Sequence, residues 1–247
     1  MSKLTAALVA ATCLATATPV LAQDAPGTTT KDSYRFVIVP KVVHPWFDKV
    51  NDGAQMAAEA LEAQTGADIE ITYSAPQSAD VIQQNQIIES SIATRPDGIA
   101  VDLLDPEGNR ASLEDAQYQE IPLTLFDSVP PEGMDIPYIG SDFCEQAKIA
   151  SRRLVELLDE EGQVAIMMGV PSAPNHAIRA ECHREVFAEY PNIEVVAEGI
   201  DNDDIQVAQQ QAAAIMQANP ELDGWVASDA AGPVGIGQAI VEAGKQG

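Results

Sequence analysis

Polar side chains follow several of the apolar runs that the sequence predicts to be buried strands. Lys41 comes just after the first run, Asp102 and Asp127 end two others, and Ser228-Asp229 ends a fourth. Carboxylates accept hydrogen bonds from hydroxyl groups and cations donate them, so such a set could hold a polar ligand without reacting with it. Each aspartate alone could equally cap a turn or a helix. The shared position at four strand ends favours a binding site.

Compact motifs of common enzymes and cofactor sites are absent from the sequence. There is no GxxxxGK[ST], GxSxG or HExxH, and no GxGxxG follows a strand. The three histidines (His44, His176, His183) lack metal-ligand spacing with the cysteines. Residues 201–204 (DNDD) resemble the start of a calcium loop without its glycine and distal glutamate. We expect them to cap a helix at 205, with one acid reaching a cleft, and we expect no catalytic residue, metal or cofactor.

The elements that position these side chains alternate regularly along the chain. Short apolar runs predict strands, and three- and four-residue spacing of apolar residues predicts the helices between them. The predicted strands are 34–40, 68–73, 98–102, 121–127, 163–169, 192–199 and 224–228. The first predicted helix begins at Pro45. The others cover 78–93, 106–119, 143–158, 175–190, 205–218 and 234–243. This alternation predicts an α/β fold of two Rossmann-like lobes with parallel sheets, 34–140 and 141–247, whose strand ends face one cleft.

The two ends of the chain carry expectations of their own. Residues 1–22 have one early cation, an apolar stretch and a small-residue cleavage site, which is the layout of a secretory signal peptide. Residues 23–33 read as a flexible polar segment. The sequence stops at a helix end, VEAGKQG, where another strand should begin. We therefore expect an exported protein whose second lobe is incomplete here.

The net charge of the chain narrows the class of partner. A formal net charge of −25 repels nucleic acid and anionic lipid, and no later segment is apolar enough to insert into a membrane.

Two cysteines, Cys144 and Cys182, remain after removal of the expected signal peptide. An oxidising compartment permits a disulfide between them, but sequence spacing does not decide the geometry, and two buried free thiols are the default expectation.

Four segments, taken in order, resemble one protein family. They are 37–61 (VIVPKVVHPWFDKVNDGAQMAAEAL), 95–108 (RPDGIAVDLLDPEG), 173–191 (APNHAIRAECHREVFAEYP) and 219–245, the last ending in an aGk-like motif. The chain resembles, over residues 34–247, the periplasmic sugar-binding proteins of ABC transporters in the ribose-type branch, which have the LacI-type (type I) periplasmic-binding fold. Lys41 and Asp203 also resemble the sub-branch with the rhamnose and autoinducer-2 receptors.

The resemblance implies a set of ligand contacts at matching positions. It implies aromatic and polar contacts from the first lobe, an arginine at the start of a second-lobe helix, and acids at two further strand ends. In this sequence these are Lys41, His44, Trp46, Phe47, Asp102, Asp127, Ser128, Asn175, His176, Arg179, Asp203 and Asp229. His44 stands where the family has asparagine, and Ser128 stands where an arginine is often found.

The function that this resemblance implies is capture without catalysis. We expect a monomeric periplasmic protein that binds a monosaccharide or polyol between its lobes and delivers it to a membrane permease, with no cofactor. A periplasmic receptor for autoinducer-2 or a chemotactic sugar is the first alternative. An exported enzyme is an alternative of another class, although no nucleophile–base pair supports it. A LacI-type repressor would need an N-terminal helix-turn-helix, and the sequence has a leader there.

Overall fold

Two separate parallel sheets, each flanked by helices, make up the fold. A computed structural model of the chain describes residues 31–245. The expected signal peptide (1–22) and most of the expected flexible segment lie outside the described residues. The first sheet has the strand order β2-β1-β3-β4-β5 and the second the order β7-β6-β8, and every pairing is parallel. This confirms the predicted α/β class.

Apart from one two-residue strand, the elements follow one another in the order that the sequence pattern predicts. In the first half they are β1 Ser33–Val39, α1 Pro45–Thr65, β2 Asp68–Tyr73, α2 Val81–Ala93, β3 Gly98–Val101, α3 Pro106–Tyr118, β4 Leu123–Phe126 and β5 Tyr138–Ile139. In the second half they are α4 Phe143–Leu157, β6 Gly162–Met168, α5 Pro174–Ala188, β7 Ile193–Ile200, α6 Ile205–Ala218, β8 Leu222–Ala227 and α7 Ala231–Glu242. The lobe boundary between 140 and 141 stays a prediction.

Aspartates define where most of the helices begin. The side chains of Asp80, Asp105, Asp142 and Asp204 accept backbone N–H groups in the first turns of α2, α3, α4 and α6. Such caps satisfy donors that have no partner within the helix. The cap at Asp204 confirms the expected role of residues 201–204, and the cap at Asp80 explains why α2 begins at Val81, later than the pattern predicted.

Three other differences from the sequence prediction have local causes. Residue Ser33 already belongs to β1, and the carbonyl of Asp32 accepts from Asp68 N, so the end of the expected flexible segment is strand. The two-residue β5 was not predicted, because so short a strand has no periodicity to detect. Helix α7 begins at Ala231 rather than 234, because the Asp229 carboxylate accepts from the N–H groups of Ala231 and Gly232.

The cysteine expectation is corrected by the structure. Cys144 and Cys182 form a disulfide that joins α4 to α5, with their Cα atoms 5.3 Å apart. The default of two free thiols was therefore wrong. The two residues are 38 positions apart in sequence, and only the packing of α4 against α5 brings them within bonding distance.

Apolar side chains of the strands and of the flanking helices form the cores. In the first sheet, residues such as Val39, Val101 and Leu125 are fully buried and pack against Ile88 of α2 and Leu113 of α3. The second sheet has a core on each side, around Val164 and Ile166 on one and Met167 on the other. Within residues 31–245, no helix combines the length and apolar character needed to cross a bilayer.

A buried glutamine fixes the strand ends at which the first lobe presents its polar side chains. Gln84 of α2 has no exposed surface, and its amide donates to the carbonyls of Pro40 at 3.1 Å and Asp102 at 2.7 Å. Its oxygen accepts from Leu104 N at 3.1 Å. One side chain thus links the ends of β1 and β3.

Replacing this glutamine tests that role. Gln84→Met should lower the free energy of unfolding by about 2–4 kcal/mol, because two buried carbonyls and one buried N–H would lose the hydrogen bonds that this side chain makes. Urea denaturation followed by circular dichroism measures the change. Gln86→Met, on the exposed face of the same helix, is the matched control and should stay within about 0.5 kcal/mol of wild type. Equal midpoints for the two variants would contradict the assignment.

Candidate functional site

A cleft of about 800 Å³ lies where the carboxyl ends of the two sheets meet. The start of α1, the ends of β4 and β5, and helix α4 contribute one part of its lining. The start of α5 and the loops after β7 and β8 contribute the other. Open parallel sheets bind ligands outside the carboxyl ends of their strands, so the cleft lies where this architecture places a ligand.

Asp127 is the polar side chain that connects the two halves of this cleft. It follows β4, and its carboxylate lies 3.7 Å from Lys41 Nζ, beside β1. From the second half, Asn175 donates to it at 2.6 Å and the guanidinium of Arg179 lies 3.4 Å away. Its backbone has φ of +47°, a conformation that aspartate adopts more readily than most residues. One carboxylate therefore has partners from both sheets.

Lys41 and Asp102 form an ion pair below the cleft rather than in its lining. Neither side chain has exposed surface, and Nζ lies 2.5 Å from one Asp102 oxygen. The second oxygen of Asp102 is buried without a hydrogen-bond partner. Burial raises the pKa of Asp102, and the Lys41 ammonium opposes that rise. Lys41 also lies 5.7 Å from the centre of the Phe47 ring, so its charge is surrounded by partners.

His176 lines the cleft with a ring whose tautomer is fixed by the backbone. Its Nδ1 accepts from the backbone N–H of Val170 at 2.9 Å, so in the neutral ring the proton is on Nε2. Burial and the nearby charges of Lys41 and Arg179 lower the pKa of His176 well below its usual value. The imidazole is therefore neutral near pH 7, with a fixed tautomer.

Arg179 is held in the cleft by three other groups besides Asp127. Its Nε and one terminal nitrogen donate to Gln146 Oε1 of α4 at 3.1 and 2.9 Å. The other terminal nitrogen donates to the carbonyl of Ser228 at 3.2 Å, and the guanidinium lies 4.8 Å from the centre of the Phe143 ring. These contacts fix the plane of the guanidinium against the cleft wall.

Three carboxylates lie together at the second-lobe side, and within residues 31–245 no ion pair joins any of them to a basic side chain. Asp201 and Asp203 follow β7 and Asp229 follows β8, and each has one buried oxygen without a hydrogen-bond partner. Burial raises the pKa of all three, to about 8 for Asp229 and about 6 for Asp201, and the charges of Asp201 and Asp203 add to the rise at Asp229. Asp203 and Asp229 line the cleft. This side of the cleft is rich in hydrogen-bond acceptors.

Comparison with known proteins decides the family to which this architecture belongs. A family profile described as "Periplasmic binding protein domain" matches residues 35–247. The chain belongs to the periplasmic binding protein domain family.

Curated members of related groups are similar over most of this chain. A D-apiose import binding protein of Actinobacillus succinogenes is 26% identical over 85% of this chain and 66% of its own length. A second D-apiose import binding protein, from Paraburkholderia graminis, is 26% identical over 83% of this chain and 64% of its own. The chain thus spans somewhat under two thirds of the length of these relatives.

A solved structure gives the same fold. An ABC transporter solute-binding protein from Burkholderia graminis, in complex with D-arabinose, superposes with a TM-score of 0.78. It is 26% identical to this chain, and the match covers 86% of this chain and 72% of that one. The predicted type I periplasmic-binding fold is confirmed.

The residues predicted for the site of this periplasmic binding protein domain divide into three groups. Several line the main cleft: Trp46, Phe47, Asp127, His176, Arg179, Asp203 and Asp229. Three others support these from behind: Lys41 and Asn175 contact Asp127, and Asp102 holds Lys41. Their roles as ligand contacts stay a prediction.

His44 and Ser128 form the third group, because the structure places them outside the main cleft. His44 caps α1, with Nδ1 accepting from Trp46 N at 3.1 Å, and it lines an adjoining recess of about 540 Å³ together with Asp201 and Asp203. Ser128 is fully buried, and its hydroxyl accepts from Leu103 N at 2.8 Å. Each thus has a local structural task, and the role of each as a ligand contact stays a prediction.

Sequence reasoning missed other residues at this site. Gln146 lines the cleft and orients Arg179, and Asp201 completes the group of three acids. Asp201 could have been found from the sequence, since it is the first polar residue after β7. Nothing in the local sequence marks Gln146, because its contact depends on the packing of α4 against α5.

Groups that could suggest chemistry are not arranged for it in the described residues. His183 lines the cleft, but its Nδ1 contact at 2.7 Å is with Ser151, which is fully buried and does not line it. Burial lowers the pKa of His183 to about 4. Cys144, Cys182 and Glu185 lie close enough to suggest a metal site, yet both sulfurs are in the disulfide, so the thiolates that a metal would need are not present.

The raised pKa of Asp229 has a consequence for stability. Between pH 5 and 8 the folded state keeps a proton in this cluster that the unfolded aspartate, with its ordinary pKa near 4, has released. This group therefore makes the free energy of unfolding fall as pH rises, by up to about 1.4 kcal/mol per pH unit. Asp229→Asn keeps the acceptor for Ala231 and Gly232 but has no proton to release.

We expect the unfolding free energy of Asp229→Asn to depend less steeply on pH than that of wild type, and the variant to gain in relative stability towards pH 8. Urea denaturation at pH 5, 6, 7 and 8, without ligand, measures the difference. Parallel curves for the two proteins would show that Asp229 holds no such proton.

Proposed function

We propose that the protein is the extracytoplasmic solute-binding component of an ABC importer. It captures a neutral monosaccharide or related polyol between its two lobes and delivers it to a membrane permease. Membership of the periplasmic binding protein domain family and the names of the relatives support this role. The expected signal peptide supports export to the periplasm. The role requires binding and release and no catalytic step.

The observation that carries the proposal is the arrangement around Asp127. Its carboxylate is shared between Lys41 on the first-sheet side and Asn175 and Arg179 on the second. A ligand hydroxyl that donates to Asp127 would contact both lobes through one group. Ligand binding would therefore stabilise the closed arrangement of the lobes, which is the state that a permease would recognise.

The charges in and below the cleft favour a neutral ligand. Lys41 and Arg179 already face Asp102 and Asp127. In the described part of the chain no ion pair joins a basic side chain to Asp201, Asp203 or Asp229. A ligand carboxylate or phosphate would meet this surplus of acids, whereas hydroxyl groups can donate to it.

Aromatic rings supply the remaining contact surface. Phe47 is buried and Trp46 is 43% exposed, and the two rings meet edge to face with centroids 5.0 Å apart. Such rings can cover the apolar C–H face of a sugar while the acids bind its hydroxyls. Charge-assisted hydrogen bonds contribute about 1.5–3 kcal/mol each, so a few of them are enough for micromolar affinity after the costs of association.

A ligand panel tests the proposal. D-Apiose, D-arabinose, other pentoses and hexoses, polyols and autoinducer-2 would be added to the protein while its melting temperature is recorded. A ligand that binds only the folded state, at a hundred times its Kd, should raise the melting temperature by about 5 °C or more. D-Glucuronate, paired with D-glucose, tests the charge argument and should give no shift. Absence of any shift, or a shift with the acid sugar alone, would contradict the proposed ligand class.

A change at Asp127 tests whether the carboxylate shared between the lobes contributes to ligand binding. Asp127→Asn keeps the size of the side chain and tolerates the positive φ, but it removes the charge that the lobes share. The Kd of the best ligand should rise about 10- to 100-fold, as measured by isothermal titration calorimetry. Asp115→Asn, on the exposed face of α3, is the control and should bind like wild type. Unchanged affinity in Asp127→Asn would remove Asp127 from the site.

A further inference from the structure

The disulfide lies next to the groups that hold Arg179. Cys144 is in the first turn of α4 and Cys182 is in α5, where its side chain is 5% exposed. Gln146 follows Cys144 by two residues, and Arg179 precedes Cys182 by three, which is about one helical turn. The covalent link and the Arg179–Gln146 hydrogen bonds therefore join the same two helices at neighbouring positions.

Arg179 depends on this helix pair for its orientation. An arginine side chain has about 2 kcal/mol of rotamer entropy, so a fixed guanidinium needs several partners. Gln146 Oε1 accepts hydrogen bonds from both Nε and a terminal nitrogen of Arg179, which sets the plane of the guanidinium. From that position one nitrogen reaches Asp127 of the first lobe at 3.4 Å. A shift of α4 against α5 would move the acceptor and release the guanidinium.

We propose that the Cys144–Cys182 disulfide is a positioning device for the ligand site: it fixes the register of α4 against α5 so that Gln146 holds Arg179 towards Asp127 and the cleft. The affinity arm of its test rests on the proposed sugar-binding function. The structural arm does not.

Other contacts keep the helices together when the disulfide is absent. The Ser151 hydroxyl and His183 Nδ1 are 2.7 Å apart in the buried interface, and Lys148 lies 3.4 Å from Glu185. Removing the disulfide should therefore lower stability and loosen the register, and the helix pair should still form. Loss of stability alone does not distinguish positioning from simple cross-linking. The test needs readouts that follow Arg179 itself.

The first readout needs no ligand. In ¹⁵N-labelled protein, the Nε–Hε resonance of Arg179, assigned by its loss in Arg179→Lys, should exchange slowly with water in wild type because Gln146 accepts that proton. In Cys144→Ala/Cys182→Ala its exchange should be faster by about tenfold or more. If that variant does not fold, wild type reduced with dithiothreitol replaces it. Lys148→Ala, which removes another α4–α5 contact, is the matched control and should leave the resonance unchanged. Unchanged exchange without the disulfide would overturn the proposal.

The second readout is a double-mutant cycle on affinity. Removing both cysteines should raise the Kd of the best ligand about tenfold in the wild-type background and have no effect in an Arg179→Ala background, because the two changes act through one group. An equal rise in both backgrounds would also overturn the proposal. If wild type binds no member of the panel, the proposed function fails, and the exchange measurement still decides whether the disulfide positions Arg179.

Discussion

The arrangement of the site depends on charge being kept paired in a place with little water. Lys41 has no exposed surface, and removing an ammonium from water costs several kcal/mol unless close anions and other partners replace its hydration. Asp102 supplies the close contact and Asp127 the second carboxylate. Because Asp127 is also bound by Asn175 and Arg179, the charge that the lysine requires in one lobe fixes side chains in the other.

This dependence continues outward from the buried pair to the backbone. Asp102 can meet Lys41 only if the ends of β1 and β3 are held side by side, and Gln84 holds them through three hydrogen bonds. On the opposite side, Gly169 leaves room for the imidazole of His176, since a Cβ there would lie 2.5 Å from its Nδ1. Strand ends, a buried amide and one small residue together set where the polar groups face the cleft.

Sequence pattern predicted the elements and part of the site, for a physical reason. In a parallel sheet the residue after each strand must lie at the carboxyl edge, so Asp127 and Asp229 could be placed from strand prediction alone. This rule predicts the edge of the sheet at which a residue lies, but not the direction in which its side chain points. Lys41 and Asp102 also follow strands, yet they turn inward and pair. Gln146, Gln84 and the Cys144–Cys182 disulfide depend on how one helix packs against its neighbours, which no local spacing contains.

Contacts between the lobes explain how a small ligand could control so large a structure. Ser172 donates to the carbonyl of Leu104 at 3.0 Å, and Leu104 packs with Val170 and Ala173 in a small apolar cluster. These contacts, with those of Asp127, join the two lobes in the arrangement that the structure shows. A ligand needs only to add its differential affinity for that arrangement, which is a few kcal/mol, to shift the population decisively. Ligand hydroxyl groups that donate to Asp203 and Asp229, which line the cleft, would add to that difference in affinity.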